Sequence, residues 1–396
     1  MLSDALPLFS LLSMPAIHFG AGMFDRLVDF SLPYGRNALL VTGRGSLQRQ
    51  GYLHSLFNSF SKAGIQYAHI IVDHEPSPEL IDHAVSCYRD LSIDVVLAVG
   101  GGSVIDAGKA IAAMLPSGDA VERYIEGLPG AVPHNGRKVP FIAVPTTSGT
   151  GSEVTNNAVI SRTGKNGFKR SLRHSSFVPD VAVVDPLLMC SASRELTASS
   201  GMDACTQLLE AYVSPFATPY TDLLAFQGLE YFARSFLSAC SDGADDSAVR
   251  ADMAYAALLS GVVLSNAGLG IVHGFASSVG GEYDIPHGML CATLLAEATR
   301  TNIRELRASR NEYPALKKYA QAGQLFSGRD ATDCSEGCNM LIEKLEEWQQ
   351  QLAIPKLSAY GIGIFDTERL ASRTRSKSNP VDLTLQSMQA ILAARV

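Results

Sequence analysis

Four side chains in the C-terminal half of the chain could together hold a divalent metal ion. Asp203 and Gln207 lie one helical turn apart in GMDACTQLLEAYV, a segment whose other residues are typical of a buried helix. His273 and His287 lie in two apolar, glycine-flanked segments, GLGIVHGFAS and YDIPHGMLC. A carboxylate and two imidazoles suit zinc or iron(II), whereas an amide is a weak ligand for such metals. Alternatively, each histidine is an ordinary core residue and Gln207 an ordinary helix residue.

A glycine-rich turn in the first half could bind a phosphate group. In AVGGGSVIDAGKAIA, Gly100, Gly101 and Gly102 stand where an apolar strand ends and a helical pattern begins. Free backbone N–H groups and the helix dipole favour an anion there, and glycine lets the ligand come close. The spacing matches neither the G-x-G-x-x-G fingerprint nor a Walker loop, so a tight turn without a ligand remains an alternative. Asp106 and Lys109 could simply pair on the surface of this helix.

A second loop, VPTTSGTGSEVT, follows the next predicted strand and carries hydroxyl groups at Thr146, Thr147, Ser148, Thr150 and Ser152. Uncharged hydroxyls can hydrogen-bond a nucleotide, although an ordinary solvated loop has a similar composition. Both loops would leave the carboxyl ends of parallel strands, where α/β proteins bind their ligands. Their joint occurrence favours nucleotide binding.

The order of the elements predicts two domains. Before residue 190, short apolar strands such as NALLVTG and DVVLAVGGG alternate with helical patterns, which predicts a parallel sheet covered by helices on both faces. From about Glu195 onward, apolar residues recur at three- and four-residue spacing and strand patterns vanish. We therefore expect an α/β domain over residues 1–190 and an all-helical domain over residues 191–396. Ligands favour the cleft between two such domains.

Composition narrows the class of protein. The 396 residues are 46% hydrophobic, which is enough for a large core and for two domains. A formal net charge of −7 argues against nucleic acid or an anionic membrane surface as partner, and no apolar run reaches the ~18 residues that span a bilayer. An early Asp4 without a basic leader argues against a signal peptide, and seven scattered cysteines fit the reducing cytoplasm. Cys334 and Cys338 lie close together, but no second pair completes a zinc site.

Six segments of the chain closely resemble the iron-containing (group III) alcohol dehydrogenase family, in the order in which that family has them. They are GGGSVIDAGKAIA, VPTTSGTGSEVT, PDVAVVDP, LTASSGMDACTQLLEAYVS, SNAGLGIVHG and IPHG, and the resemblance spans roughly residues 15–305. It implies an N-terminal dinucleotide-binding domain, a helical C-terminal domain, an active site in the cleft and a homodimer. It also implies reversible hydride transfer between NAD(P)H and a small aldehyde or ketone, with an alcohol as the reduced product.

The same resemblance implies that Asp203, His273 and His287 are metal ligands. The family usually has histidine at the position of Gln207, and many relatives have a histidine linked to proton transfer at the position of Ser277. Three outcomes stay open: Gln207 binds the metal through its carbonyl oxygen, three protein ligands and a water hold it, or binding is weak or lost. We expect a retained metal, iron or zinc, because relatives similar to glycerol dehydrogenase manage with one aspartate and two histidines. The catalytic proton would then come from bound water, a ribose hydroxyl or Ser277.

The resemblance also assigns residues to the dinucleotide. The glycine turn would contact the pyrophosphate, the hydroxyl loop would line the nucleotide, and three further positions would lie beside the cofactor. The pyrophosphate contacts would be Gly101, Gly102, Ser103 and Asp106. The residues lining the nucleotide would be Thr146, Thr147 and Thr150, and the further positions beside the cofactor would be Ser77, Val159 and Lys169.

The strand end LLVTG bears on the choice between NAD and NADP. Relatives that use only NAD commonly have an aspartate at the position of Gly43, where it binds the ribose hydroxyls and repels a 2′-phosphate. Here Gly43 is followed by Arg44 and Ser46, a cation and a hydroxyl that suit the phosphate. We therefore expect NADP(H). The alternatives are the use of both cofactors, or a plain surface arginine at Arg44.

Three other functions remain open. One is a maleylacetate-reductase-like reductase of oxoacids, which would need cationic side chains facing the substrate. Another is a lyase of the dehydroquinate synthase type, against which TASSGMDA and GLGIVHG argue because they match the dehydrogenases closely. The third is a non-catalytic protein that binds a nucleotide or a metal, since two imidazoles are missing. The retained aspartate and histidines count against it.

Overall fold

The computed structural model describes residues 8–164, 167–309 and 314–396. Eight strands are present in these residues: β1 (Ala16–Phe19), β2 (Asn37–Gly43), β3 (Gln66–Val72), β4 (Val95–Gly100), β5 (Phe141–Pro145), β6 (Asn157–Arg162), β7 (Phe168–Arg173) and β8 (Val181–Val184). Six of them form one parallel sheet with the order β1-β8-β5-β4-β2-β3. The other two, β6 and β7, form a separate antiparallel pair.

Helices follow or separate the strands and make up most of the second half. In the described residues they are α1 (Leu27–Ser31), α2 (Ser46–Arg49), α3 (Tyr52–Ala63), α4 (Pro78–Tyr88), α5 (Gly102–Met114), α6 (Arg194–Val213), α7 (Pro219–Ala239), α8 (Ser247–Ala267), α9 (Ile271–Gly280), α10 (His287–Ala308), α11 (Pro314–Ser327), α12 (Cys334–Gln351), α13 (Thr367–Arg373) and α14 (Leu385–Ala393).

The central strands are buried on both faces because helices cover both. All six residues of β4 are buried, and successive side chains point to opposite sides. Val96 belongs to the apolar core that includes Ile105 of α5, whereas Leu97 belongs to the core that includes Phe60 of α3. The uninterrupted apolar run VVLAVG is therefore typical of a central parallel strand, as predicted.

The β6–β7 pair is not predicted by the sequence analysis. Its two segments, NAVISR and FKRSLR, carry charged residues that interrupt the apolar pattern. The register sets Ser161 opposite Lys169, and Ala158 and Leu172 are buried against the core on the α5 side of the sheet. Two of the expected cofactor positions lie on this pair, Val159 on β6 and Lys169 on β7.

The second half confirms the predicted fold class. The last strand ends at Val184, α6 begins at Arg194, and the described residues from there on contain helices and connecting segments but no strand. These helices share one apolar core, with Phe232 and Trp348 among its aromatic members. Helix α8 is long and apolar enough to cross a membrane by length and composition, but most of it is buried within the protein, as in the core helix of a water-soluble domain.

Candidate active site

Three helices of the second half bring the expected metal-binding side chains together. Asp203 lies on α6, His273 on α9, and His287 is the first residue of α10. Asp203 Oδ1 is 3.3 Å from His273 Nε2 and 3.5 Å from His287 Nε2. We refer to these three residues as the metal triad. Their side chains converge although 84 residues separate the first from the last, as the sequence analysis expected.

A fourth donor, the thiol of Cys291, completes the group. Cys291 lies one turn after His287 on α10, so both side chains share a helix face. Its Sγ is 3.9 Å from His273 Nε2, and the donor atoms of all four residues lie within 4.8 Å of one another. The sequence analysis missed this residue, although its spacing of four from His287 was a signal that could have identified it.

The structure corrects the expectation for Gln207. This residue lies on the same face of α6 as Asp203 and is buried, but its carbonyl oxygen accepts a hydrogen bond of 2.6 Å from Ser260 Oγ. Ser260 lies on α8. The amide thus joins two helices, and the group of possible metal donors contains Cys291 instead.

Glu210 holds the ring of His273 in place. His273 Nδ1 is 2.7 Å from Glu210 Oε2, and the backbone N–H of Val272 donates to Glu210 Oε1 at 2.7 Å. Because the ionised carboxylate can only accept, Nδ1 carries a proton, and Nε2 is the atom that faces Asp203. Burial alone would lower the pKa of His273, but Cys291, Asp203 and Glu210 raise it well above its usual value, so a metal ion at Nε2 would take the place of a proton. A carboxylate behind a histidine is the usual support of a metal-binding imidazole. The sequence analysis missed Glu210, seven residues after Asp203 on the same helix face.

The pKa values of two members of the metal triad, His287 and Asp203, suit a cation. Burial lowers the pKa of His287 to about 4, so this imidazole is neutral at pH 7. Burial alone would raise the pKa of Asp203, but His287 and His273 outweigh it and hold this pKa below its usual value. Burial raises the pKa of the Cys291 thiol to about 11.

The arrangement fits a divalent ion. Within the described residues, Asp203 Oδ1 and His287 Nδ1 are buried without any hydrogen-bond partner. An unpaired carboxylate oxygen in the core is costly, and here it faces two imidazole nitrogens whose lone pairs could bind the same cation. Among the four donors, His287 alone has appreciable exposure, 29% of its side chain, so a substrate would reach the ion from that side.

The glycine turn and the hydroxyl loop lie side by side. They follow β4 and β5, which are neighbours in the sheet, and Thr146 N donates to Gly100 O at 2.9 Å. A Cβ atom on Gly102 would lie 2.5 Å from Thr150 Cγ2, so only glycine fits there. Thr147 lies beside Gly101 at an ordinary contact distance, 3.5 Å from the position of a Cβ atom. The two predicted nucleotide loops thus form one surface at the carboxyl edge of the sheet, where the N-terminus of α5 begins.

Helix α5 is tied to this surface by two buried charged groups. Lys109 does not pair on the helix surface: it is buried, and its Nζ contacts Ser152 O, Thr155 O, Thr155 Oγ1 and Asn157 O at 2.8–2.9 Å. Asp106 Oδ2 accepts a hydrogen bond of 3.0 Å from Val159 N. Burial raises the pKa of Asp106 above its usual value. Both residues therefore fix the segment that leads from the hydroxyl loop into β6.

Comparison with known proteins agrees with this geometry. Residues 15–186 match the family model described as iron-containing alcohol dehydrogenase, and residues 197–396 match the C-terminal model of the same family. The chain belongs to the iron-containing alcohol dehydrogenase family. It is accordingly an NAD(P)-dependent alcohol dehydrogenase, from a family in which a metal is expected.

Relatives of known activity match over nearly the whole chain. An NADPH-dependent butanol dehydrogenase of Clostridium saccharobutylicum is 33% identical over 385 residues, 95% of each chain. A 1,3-propanediol dehydrogenase of Citrobacter freundii is 38% identical and covers 81% of this chain and 80% of its own length. A solved structure of a 1,3-propanediol oxidoreductase superposes with a TM-score of 0.85 at 31% identity, covering 98% of this chain and 99% of its own.

In this alcohol dehydrogenase, Arg44 at the end of β2, which we expected to suit a 2′-phosphate, is paired with an acidic residue. Gly43 is the last residue of β2, and Ser46 begins α2. Arg44 is 77% exposed, and its Nη2 is 3.0 Å from Oδ2 of Asp73, which follows β3. The neighbouring strand thus supplies an acid that the sequence analysis did not consider. An exposed pair of this kind contributes at most about 1 kcal/mol, so Arg44 can exchange its partner for a phosphate.

Two of the other expected cofactor residues have local partners. Ser77 caps α4, because its hydroxyl accepts a hydrogen bond of 3.2 Å from Leu80 N. Lys169 pairs with Glu75, which also accepts 2.8 Å from Ser161 Oγ. Ser103 lies in the first turn of α5, as expected for a residue beside a pyrophosphate.

Ser277, at the position of the relatives' histidine, lies one turn after His273 on α9. Its hydroxyl donates to His273 O at 3.1 Å and receives a hydrogen bond of 3.2 Å from Lys377 Nζ. Lys377 also donates to His273 O at 3.1 Å. The sequence analysis did not identify this lysine, which lies 104 residues from His273 in the chain.

The role of Glu210 can be tested by Glu210→Gln, which keeps the size of the side chain but removes its charge. Because the amide supports the Nδ1–H tautomer of His273 less well, we expect metal affinity to fall by roughly 10- to 100-fold. The measurement is the metal dissociation constant by competition with a chelator, with Glu230→Gln, an exposed position on α7, as control. An unchanged constant in Glu210→Gln would show that this carboxylate does not support the metal site.

Proposed function

We propose that this enzyme transfers a hydride reversibly between NADP(H) and a small aldehyde or ketone, with a divalent metal ion held by the metal triad. The observation that carries the proposal is the convergence of Asp203, His273 and His287 around a buried carboxylate oxygen that lacks a hydrogen-bond partner in the described residues. Iron and zinc both suit an aspartate with two imidazoles.

The protein's own residues orient the reacting groups. When bound, the metal ion supplies a Lewis acid that polarises the carbonyl of the substrate. Glu210 holds the Nδ1–H of His273 so that Nε2 faces the metal position, and the burial of Asp203 and Cys291 keeps water from the inner side of the site. The partly exposed ring of His287 marks the side from which the substrate enters. The glycine turn and the hydroxyl loop hold the dinucleotide, with its pyrophosphate at the N-terminus of α5.

The proton of the reaction has a candidate route through Ser277. Reduction of a carbonyl produces an alkoxide, which must take up one proton to leave as an alcohol. If the hydroxyl turns away from His273 O, Ser277 Oγ can donate that proton to a substrate or a water and be resupplied from solvent, since Ser277 is partly exposed. Bound water and a ribose hydroxyl remain the other donors.

NADP(H) is favoured over NAD(H) by the end of β2. No acid occupies position 43, and Arg44 stands next to it, paired with Asp73 and with 77% of its side chain exposed. A 2′-phosphate carries more negative charge than one carboxylate and offers three acceptor oxygens, so it would compete well for the guanidinium. The butanol dehydrogenase that matches 95% of this chain is named as NADPH-dependent, which supports the same choice.

The family and the composition support expectations for the substrate class, the cellular location and the oligomeric state of the enzyme. The named substrates of the relatives, butanol and 1,3-propanediol, support a small aliphatic alcohol or aldehyde for this chain. We further expect a cytoplasmic homodimer that binds neither nucleic acid nor membranes, given the net charge of −7.

A second candidate, the reduction of a short oxoacid, is favoured by Lys377. This exposed ammonium group lies against His273 O and Ser277 Oγ, next to the metal triad. An oxoacid reductase needs a cation there to hold the substrate's carboxylate.

The metal requirement is tested by His273→Ala. Loss of one imidazole and of its link to Glu210 should remove most of the bound metal and at least about 100-fold of kcat/KM. Metal content by elemental analysis and aldehyde reduction are measured on the same samples, with His83→Ala, an exposed position on α4, as control. A folded, metal-free wild-type protein that still reduces aldehydes would overturn the proposed mechanism.

The cofactor choice is tested by Gly43→Asp. Among the described residues, a Cβ atom at this position meets Val104 Cγ2 at 3.5 Å, an ordinary contact distance, so the backbone leaves room for a side chain to begin there. Its charge should repel the 2′-phosphate and lower the ratio of kcat/KM for NADPH over NADH by at least about tenfold, or about 1.4 kcal/mol. Gly43→Ala is the matched control, because it adds the Cβ atom without the charge. An equal ratio in wild type, Gly43→Ala and Gly43→Asp would contradict the role given to this strand end.

The oxoacid function is tested by Lys377→Met, which keeps an unbranched side chain without the charge. If the lysine holds a carboxylate, the ratio of kcat/KM for a short oxoacid over a neutral aldehyde of equal length should fall at least about tenfold. Lys62→Met, an exposed position on α3, is the control. A ratio that stays the same removes the support for this second candidate.

A further inference from the structure

The thiol of Cys291 stands in the place of a metal ligand. It is fully buried on α10, and its Sγ is 3.9 Å from His273 Nε2 and within 4.8 Å of the donor atoms of Asp203 and His287. A buried cysteine is usually a small core residue. Cys205 and Cys338 are buried in the apolar core of the same half, outside the group of donor atoms. Cys291 differs from them because it faces three polar donors.

The distances between donors suit one four-coordinate ion. Ligands bonded at 2.0–2.3 Å in a tetrahedron lie about 3.3–3.6 Å from one another. The Asp203–His273 and Asp203–His287 pairs, at 3.3 and 3.5 Å, already have this spacing, and the Cys291–His273 pair is at 3.9 Å. All four donors lie within 4.8 Å of one another, so side-chain movements of about 1 Å or less bring them to the spacing of one tetrahedral ion. Gln207 is held by Ser260 instead.

The net charge of the metal ion with its ligands also favours a thiolate as the fourth ligand. A divalent ion with Asp203 and a thiolate as its anionic ligands carries no net charge, whereas an imidazole in place of the thiolate would leave one positive charge. Beyond these ligands, the carboxylate of Glu210 on His273 is offset by the ammonium group of Lys377, which donates to His273 O. The inner side of the site is buried, where net charge is expensive. The thiolate also changes the character of the ligand set, because sulfur is a softer donor than nitrogen or oxygen.

We propose that the Cys291 thiolate is the fourth protein ligand of the metal, and that the resulting set of one oxygen, two nitrogens and one sulfur selects zinc over iron(II). This rests on the proposed function, since it concerns the same metal. On binding, the metal–sulfur bond forms, the S–H proton passes to solvent, and no electron is transferred. Soft thiolate donors and the general affinity order both place zinc above iron(II) at such a site. The selected metal would thus differ from the one in the family's name.

The direct test is X-ray absorption spectroscopy on the full-length enzyme loaded with zinc. We expect one sulfur per zinc at about 2.3 Å in the wild type. Cobalt(II) in place of zinc should give a thiolate-to-metal charge-transfer band. Cys291→Ser should lose both signals while keeping about one metal per chain through the metal triad. Cys338→Ser is the matched control, because it removes a buried thiol outside the donor group and should keep both signals.

Metal competition adds a second readout. The preference for zinc over iron(II), measured as the ratio of the two dissociation constants, should fall at least about tenfold in Cys291→Ser and stay unchanged in Cys338→Ser. A wild-type enzyme with one metal per chain and no sulfur neighbour would overturn the cysteine ligand and leave the proposed function intact. A folded wild type that binds no metal would overturn the proposed function itself. The wild-type spectrum decides the question even if Cys291→Ser does not fold.

Discussion

The buried carboxylate of Asp203 is the constraint on which the C-terminal half depends. Its Oδ1 atom faces the Nε2 atoms of His273 and His287 and has no hydrogen-bond partner in the described part of the chain. Such a group is costly in a protein core unless a cation joins it. Helices α6, α9 and α10 must therefore meet at one place, and Glu210 then fixes the ring that faces the carboxylate. The same buried charge thus lies where these three helices pack together and where a cation would fit.

The hydroxyl loop is packed against helices α6 and α8 by contacts too close for any side chain. A Cβ atom on Gly149 would lie 2.8 Å from Ser200 Cβ, and one on Gly151 would lie 2.4 Å from Gly261 Cα. Gly151 also has a φ of +62°, which favours glycine. Ser200 lies on α6, which carries Asp203, so the hydroxyl loop and the carboxylate belong to one rigid unit. Hydride transfer needs this rigidity, because the two reacting carbons must be aligned closely.

The sequence predicted what local patterns and motifs encode, and missed what tertiary contacts decide. The apolar runs and their order predicted the parallel sheet and the helical half, and the motifs predicted the metal triad. Nothing local shows that Ser260 holds Gln207 or that Lys109 is buried with four acceptors, because each partner is distant in the chain. The β6–β7 strand pair was not predicted because its charged residues interrupt the apolar pattern that indicates a strand. Its stability comes from packing against the core. Cys291 was within reach, since its spacing from a predicted ligand places it on the same helix face.

The central claim is that one metal ion lies between the three side chains of the triad. Anomalous diffraction from crystals of the enzyme purified with its metal, recorded above and below the absorption edges of iron and zinc, tests it most directly. The account predicts a single peak per chain within about 2.3 Å of Asp203 Oδ1, His273 Nε2 and His287 Nε2. A peak elsewhere, or none in crystals of enzyme that is active in solution, would contradict it.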